Sequence, residues 1–356
     1  MNPLYRIIDV NADRAAEALR VMGDIARFIV DDEASAQAWR SLRGELWNIL
    51  QSVPGGQRRM LESRDSEGDV GREFSAPPYS DLPALARANA HRAQESLRVL
   101  EESFRGIDPT PVPRLARLRF QCYDLEKQTL SALAQYCLQK KLDFGLYVVL
   151  GREFSRGRDF LEVAEKAIAG GARAIQLREK EWSKREILPW AYRLRELTRE
   201  HQVTFILNDH PDIALAVEAD GVHLGQDDFP LREARRIAGP NFILGASTHS
   251  VGEARKAVEE GADYINIGPI FPTGTKKGVI APVGPDMITE VTSVVKHPFT
   301  VMGGVKLNNV EEVLKRGARR IAVVTAVVSA DDITAAAREL VEKINSYSTS
   351  MPTVSP

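Results

Sequence analysis

The sequence predicts an α/β chain: a (β/α)8 barrel preceded by an all-α domain. Three observations carry that prediction. From about residue 143, short β-branched runs alternate with amphipathic stretches. Gly-Ala recurs just ahead of three of those runs, at Gly171-Ala172, Gly261-Ala262 and Gly317-Ala318. Residues 1–142 lack this alternation and carry an internal repeat instead.

The strands are expected at 146–150, 174–177, 204–207, 221–224, 243–246, 264–267, 299–302 and 321–325, with helices between them such as 159–169, 184–201, 251–260 and 309–316. A glycine that ends a helix in the left-handed region and leads straight into a strand is the expected αβ turn. Eight such units in about 200 residues match a barrel whose active site lies at the C-terminal strand ends. An open doubly wound sheet is the alternative, but no G-x-G-x-x-G follows the first strand.

In the first 142 residues, Asn11-Ala-Asp-Arg-Ala-Ala-Glu-Ala-Leu-Arg-Val21 returns as Asn89-Ala-His-Arg-Ala-Gln-Glu-Ser-Leu-Arg-Val99. Each copy is followed by a second helical stretch, giving repeat units 11–51 and 89–133. Two duplicated hairpins predict a four-helix unit. Leu19, Met22, Ile25, Ala26 and Ile29 form its buried stripe, and Asn11 and Asn89 read as N-caps. The Ser/Thr/Pro-rich end, 346–356, is expected to be disordered.

The chain has 356 residues, a net charge of −2 and 44% hydrophobic residues. That balance suits a sizeable core and points away from nucleic acid and anionic membranes as partners. No apolar run approaches the roughly 20 residues of a membrane span, and the N-terminus lacks a secretory h-region. Cys122 and Cys137 share one helical pattern too far apart to bridge, so both read as structural thiols of a reducing cytoplasm.

Chemistry gathers at the expected strand ends. Gln176-Leu-Arg-Glu-Lys180 places an amide, a guanidinium and an ammonium at alternate positions, Gln176, Arg178 and Lys180, which an extended chain turns to one side. Such a set makes a phosphate cradle. Asn208-Asp209 follows the third strand and His223-Leu-Gly-Gln-Asp-Asp228 the fourth. One acidic residue at a strand end serves as well as a helix cap, but two, Asp209 and Asp228, beside a cationic cradle suit an incompletely dehydrated Mg2+. Ser247 ends the fifth strand, and Thr273-Gly-Thr-Lys-Lys277 is a polar loop suited to a lid. Gly303-Gly304 and Val324-Thr325 follow strands seven and eight, where barrels often bind phosphate through backbone N–H groups. The histidines have no zinc-ligand spacing. Two anion subsites and no evident general base fit transfer of a group whose diphosphate departs.

Six motifs then fall in register across residues 143–345: Gln176-Leu-Arg-Glu-Lys180, Asn208-Asp209, His223-x-Gly-Gln-x-Asp228, Gly-x-Ser247, Gly268-Pro-Ile-Phe-Pro-Thr-x-Thr-Lys276 and Gly303-Gly304. Together they resemble the thiamine-phosphate synthase family, transferases of thiamine biosynthesis. The resemblance implies that 4-amino-5-hydroxymethyl-2-methylpyrimidine diphosphate is joined to 4-methyl-5-(2-phosphoethyl)thiazole by a dissociative route that releases diphosphate. It implies that Gln176, Arg178, Lys180, Asn208, His223, Ser247 and Lys276 line the pyrimidine diphosphate pocket, with Arg178, Lys180, Ser247 and Lys276 assisting departure. Asp209 and Asp228 would hold Mg2+. Thr273, Thr275, Gly303, Gly304, Val324 and Thr325 would face the thiazole phosphate. Thr325 stands where the family often has Ser, and Met302 and Val305 flank the glycine pair where smaller residues or Ile are commoner.

A thiazole tautomerase on the same barrel is the alternative, although it needs no complete diphosphate and metal set. The N-terminal half resembles a helical domain fused to such synthases, through Arg6-Ile-Ile-Asp-Val-Asn11, the Arg-x-x-Glu-x-x-Arg helix (Arg14, Glu17 and Arg20; Arg92, Glu95 and Arg98) and Arg64-Asp-x-x-x-Asp-Val-Gly71. That resemblance implies phosphorylation of the pyrimidine monophosphate. A purely structural or dimerising module, with the charged triplets as a solvated stripe, is its competitor. Oligomeric state is left open.

Overall fold

The computed structural model describes residues 2–65, 77–274 and 281–348. The chain divides into two compact units, Met1–Cys137 and Leu138–Pro356.

The first unit is helical: α1 (Leu4–Phe28), α2 (Glu33–Gln51), the short α3 (Gly56–Glu62), α4 (Leu82–Arg105) and α5 (Val112–Lys141), which runs on past the unit boundary. Asp32 caps α2 by accepting from the Ser35 N–H at 3.0 Å, and Asp81 caps α4 by accepting from Ala84 at 2.7 Å. Apolar side chains at helical spacing meet in one core that includes Leu19, Met22, Trp39, Leu46, Leu97 and Phe104. The Trp39 indole N–H donates to Thr129 at 2.9 Å, tying α2 to α5. A buried indole needs such a partner.

Asn11 and Asn89 are not caps. Each helix begins about two turns earlier, and both residues are buried inside it, their amides donating at 2.9 Å to the carbonyls of Ile7 and Leu85. An asparagine that satisfies itself four residues back sits in a helix interior without breaking it. The charged triplets do not pair internally among the described residues. Arg20 instead reaches Asp24 at 3.7 Å, and Arg98 reaches Glu101 at 2.8 Å and Glu102 at 2.7 Å.

The second unit is a closed parallel barrel, β1 to β8 in chain order, with β1 pairing both β2 and β8. Its strands are β1 (Leu146–Leu150), β2 (Ala174–Leu177), β3 (Thr204–Asn208), β4 (Gly221–Leu224), β5 (Ile243–Thr248), β6 (Tyr264–Ile267), β7 (Phe299–Val301) and β8 (Ile321–Val323). The helices are α6 (Phe160–Ala169), α7 (Lys184–Glu200), α8 (Pro211–Ala216), α9 (Leu231–Ala238), α10 (Val251–Glu259), α11 (Asp286–Val294), α12 (Val310–Leu314), α13 (Thr325–Val328) and α14 (Ile333–Ser348).

Gly171, Gly261 and Gly317 adopt φ of 101°, 94° and 88°, the left-handed turns that the Gly-Ala pattern predicts. One apolar layer packs the helices onto the strands' outer faces, and a separate cluster fills the barrel, with Leu142 and Phe144 beside Tyr147, Ile206, Ile243 and Tyr264.

Several element ends differ from the sequence reading. β3 and β5 run on to include Asn208 and Ser247, so those side chains stand on strands rather than on loops. β7 and β8 stop at Val301 and Val323, and Thr325 opens α13 instead of ending β8. Residues 346–348 continue α14 rather than starting a tail, and 349–356 lie outside the described residues. Among the described residues no helix is long and apolar enough to cross a membrane.

Candidate active site

The parallel register sets the site. Gln176 on β2 pairs with Val149 on β1, and Asn208 on β3 pairs with His223 on β4. Alternate side chains of each strand point into the barrel, so these groups converge at the strands' C-terminal ends. Gln176, Arg178, Lys180, Asn208, Asp209, His223, Asp228, Ser247 and Val324 line one cleft together with Val149, Gly225 and Met302. The cleft is small, about 100 Å3. A larger cavity, about 870 Å3, belongs to the helical unit and contains none of these residues.

At the mouth, Lys180 forms an ion pair with Asp209 and lies 4.0 Å from Asp228. Asp209 has φ of 63°, a left-handed conformation uncommon away from glycine, and its N–H donates to the His223 carbonyl at 2.9 Å. Such strain persists where surrounding structure holds it and is common at functional sites. Burial, then the neighbouring Asp228 carboxylate, pushes the Asp209 acid up to about 6 against the opposing pull of Lys180. Asp228 is oriented by the Gly225 N–H at 2.7 Å. Two crowded carboxylates with hard oxygen donors fit a divalent cation of the Mg2+ type, which relieves their mutual repulsion.

Deeper in, a hydrogen-bonded chain crosses the barrel. The Gln176 amide donates to the Tyr147 hydroxyl at 2.5 Å, Tyr147 meets the Tyr264 hydroxyl at 3.2 Å, and Tyr264 meets His223 Nδ1 at 2.9 Å. His223 Nε2 lies 3.0 Å from the Ser247 hydroxyl. All five side chains line or underlie the cleft, and burial raises both phenol pKa values. Gly245 makes room for this chain, since a Cβ there would stand 2.3 Å from the Tyr264 hydroxyl. Among the described residues the Asn208 amide nitrogen is buried without a partner. An orphaned donor lining a cleft is costly until a ligand completes it.

Gly303 and Gly304 follow β7 with φ of 98° and 65°. A Cβ on Gly304 would meet the Pro272 carbonyl at 2.6 Å, so this turn requires glycine. Thr273, Gly303, Gly304 and Thr325 do not line the cleft, although Val324 does. Thr275 and Lys276 lie outside the described residues. The sequence reading missed Tyr147 and Tyr264. Their only signal was a phenol in each of two short, largely apolar strand runs.

The thiamine monophosphate synthase family profile matches residues 146–327, and that of the ThiD2 family matches residues 6–128. A thiamine-phosphate synthase of Synechococcus sp. (strain CC9311) is 36% identical over 348 residues, covering 95% of this chain and 96% of that protein.

The chain belongs to the thiamine-phosphate synthase family.

A thiamine-phosphate synthase of Shouchella clausii is 50% identical over 197 residues, covering 55% of this chain and 94% of its own length. The solved thiamine phosphate pyrophosphorylase of Pyrococcus furiosus, 40% identical with a TM-score of 0.54, covers 59% of this chain and 98% of its own. The synthase profile thus falls on the barrel, the chain is a diphosphate-releasing transferase, and the Synechococcus relative matches over nearly the whole of both lengths.

Proposed function

We propose that the barrel couples 4-amino-5-hydroxymethyl-2-methylpyrimidine diphosphate to 4-methyl-5-(2-phosphoethyl)thiazole by a dissociative displacement, the cleft at the strand ends receiving the pyrimidine diphosphate. The observation that carries this reading is the convergence of Gln176, Arg178, Lys180, Asn208, Asp209, His223, Asp228 and Ser247 on one cleft.

The buried chain supports a role for each polar end. We read the chain as starting at the Gln176 amide, with each phenol passing its single proton onward and His223 accepting at Nδ1 and carrying its own proton on Nε2. Ser247 then accepts from His223 and keeps its hydroxyl proton for a ligand. At the other end, the Gln176 carbonyl oxygen is left to accept from the pyrimidine amino group. Tyr147 and Tyr264 fix both orientations without touching the substrate.

Arg178 and Lys180 face the departing diphosphate, where fixed cations stabilise developing charge. Asn208 supplies its orphaned amide. Asp209 and Asp228 would hold Mg2+, which when bound adds positive charge at the leaving group. No general base is required, because the thiazole nitrogen attacks with its own lone pair once the pyrimidine methylene carries positive charge. Lys276 is assigned to the pyrimidine diphosphate from sequence alone, and Thr273, Thr275, Gly303, Gly304, Val324 and Thr325 to the thiazole phosphate.

For the helical unit we read phosphorylation of the pyrimidine monophosphate, supported by the ThiD2 match over residues 6–128. A cytoplasmic setting follows from the small phosphorylated substrates. The whole chain, given ATP, the pyrimidine monophosphate and the thiazole phosphate, should form thiamine phosphate. Product from the pyrimidine diphosphate alone, with none from the monophosphate plus ATP, would retain the synthase and remove the kinase.

A further inference from the structure

The helical unit is one pattern used twice, and a cavity opens where the copies differ. The repeat aligns Asn11 with Asn89, so Arg20 matches Arg98, Gly23 matches Glu101 and Asp24 matches Glu102. The second helices align by sequence and by their buried faces: Trp39, Leu42, Leu46 and Ile49 on α2 have the same spacing as Leu115, Leu118, Cys122 and Leu125 on α5, which places Arg43 on Arg119 and Trp47 on Tyr123.

In the second copy Glu101 and Arg119 form a closed clamp. The Glu101 side chain is 1% exposed and accepts from Arg119 Nε at 2.6 Å and from Arg98 at 2.8 Å. A buried carboxylate is tolerated because two guanidinium groups hold it. In the first copy, glycine removes the carboxylate and leaves the matching Arg43 without it. Beside Arg43 lies a cavity of about 870 Å3, lined by Arg20, Gly23, Ala36, Arg40, Arg43 and Trp47 among others. The smaller depression of the second copy, about 500 Å3, is lined by Arg119, Tyr123 and α4 residues between 91 and 99, stopping short of Glu101.

The groove's chemistry is specific. Arg40 and Arg43, one helical turn apart on α2, have no side-chain hydrogen bond or ion pair among the described residues. Arg27 rests on the Phe28 ring at 4.7 Å, and among the described residues Arg20 reaches only Asp24, at 3.7 Å. Asp24, Asp31 and Glu33 also line the groove, against four arginines. Trp47 is about one-third exposed, a large aromatic left partly uncovered on the wall. Guanidinium forks match phosphate oxygens, and an exposed indole offers a stacking surface. The volume lies within the range of small-ligand sites, about 300–1,000 Å3.

We propose that the α1–α2 groove, whose Arg43 lacks the carboxylate that clamps Arg119 in the second copy, binds a phosphate ester of a flat heteroaromatic ring, the phosphate on Arg40 and Arg43 and the ring against Trp47. A nucleotide and a phosphorylated pyrimidine share this chemistry. The site does not depend on the kinase reading.

Equilibrium dialysis of the full chain against AMP, against the pyrimidine monophosphate and against inorganic phosphate counts sites per chain. At least one ester should bind ten-fold or more tightly than inorganic phosphate, and which one does identifies the source. The count for that ester should fall by one in R40A/R43A. It should fall equally in G23E, which transplants the second copy's carboxylate into the groove beside Arg43, with Tm unchanged or higher. An unchanged count in both variants overturns the proposal, as does the absence of any ester bound more tightly than phosphate. If the transplant does not fold, R40A/R43A on the solvent side of α2 decides alone. A chain that binds the ester yet forms no ADP would sink the kinase and leave the groove standing.

Discussion

In the barrel, Gln176, Tyr147, Tyr264, His223 and Ser247 are already joined to one another around the cleft. In the first repeat of the helical unit, Arg40 and Arg43 stand at a groove with no ion pair or side-chain hydrogen bond among the described residues, whereas the second repeat clamps Arg119, the counterpart of Arg43, with Glu101. The barrel fixes the orientation of its polar groups in advance, which reduces reorganisation when charge develops. The bundle leaves counter-charge to be supplied. A preorganised site and an open one therefore coexist in the chain, and they should respond differently to the same kind of change.

The largest difference should come from adding one methyl group to a glycine in each. Gly245→Ala drives a Cβ into the Tyr264 ring, with the nearest atom at 2.2 Å. Thermal denaturation should show a loss of about 3 kcal/mol or more, or no folded barrel. Gly44→Ala on α2 meets nothing within 4 Å and should stabilise by about 0.5–1 kcal/mol, since alanine is the better helix former. A barrel indifferent to Gly245→Ala would mean the phenol chain is not tightly placed.

Tyr264→Phe tests the chain more gently. It removes one hydroxyl between Tyr147 and His223 and leaves buried polar atoms unpaired, at a cost of about 1–3 kcal/mol in a urea titration. If Tyr264 positions rather than reacts, KM for the pyrimidine diphosphate should rise more than kcat falls. A fall in kcat alone would assign the hydroxyl to the chemistry.

The smallest effect is one of pH, and its sign differs between the units. Burial raises the Glu179 carboxyl above its ordinary value. The folded state then holds that proton longer than the unfolded chain, so Glu179 favours folding below its unfolded pKa, and this contribution is lost as pH rises through its folded pKa. Hydrogen bonds from Ser35 lower Asp32, so its stabilisation is present above its unfolded pKa and lost as pH falls through the folded one. Urea midpoints against pH should show Glu179→Gln removing a decline on the alkaline side of the carboxylate range. Asp32→Asn should remove a decline on the acid side. Matching slopes in the two variants would contradict the assignment.

How legible each unit was follows from the same contrast. Barrel strands announce themselves through β-branched runs between left-handed glycines, so β1, β2, β4 and β6 were placed to the residue. The charged site residues were legible because they sit at strand ends, where an apolar core does not call for them. Tyr147 and Tyr264 were not, because a buried phenol reads as core until its hydroxyl partners are seen across strands far apart in sequence. In the bundle, the repeat showed the duplication but concealed the caps. Asn11 and Asn89 resemble caps by residue type, yet their amides bond back to Ile7 and Leu85 inside helices that begin earlier. The Gly23–Glu101 difference was visible in the repeat, but its meaning depended on Arg119, which lies on another helix.

The central claim is that the Lys180, Asp209 and Asp228 end of the barrel cleft receives the leaving diphosphate. The most direct test measures thiamine phosphate formed from the pyrimidine diphosphate and thiazole phosphate, with Mg2+ and with a chelator, in the parent chain, Lys180→Ala and Asp228→Ala. Product should form in the parent only with Mg2+ and fall at least about 100-fold in either variant, with circular dichroism melts close to the parent's. Folded variants that keep parental activity, or a parent indifferent to the chelator, would contradict it.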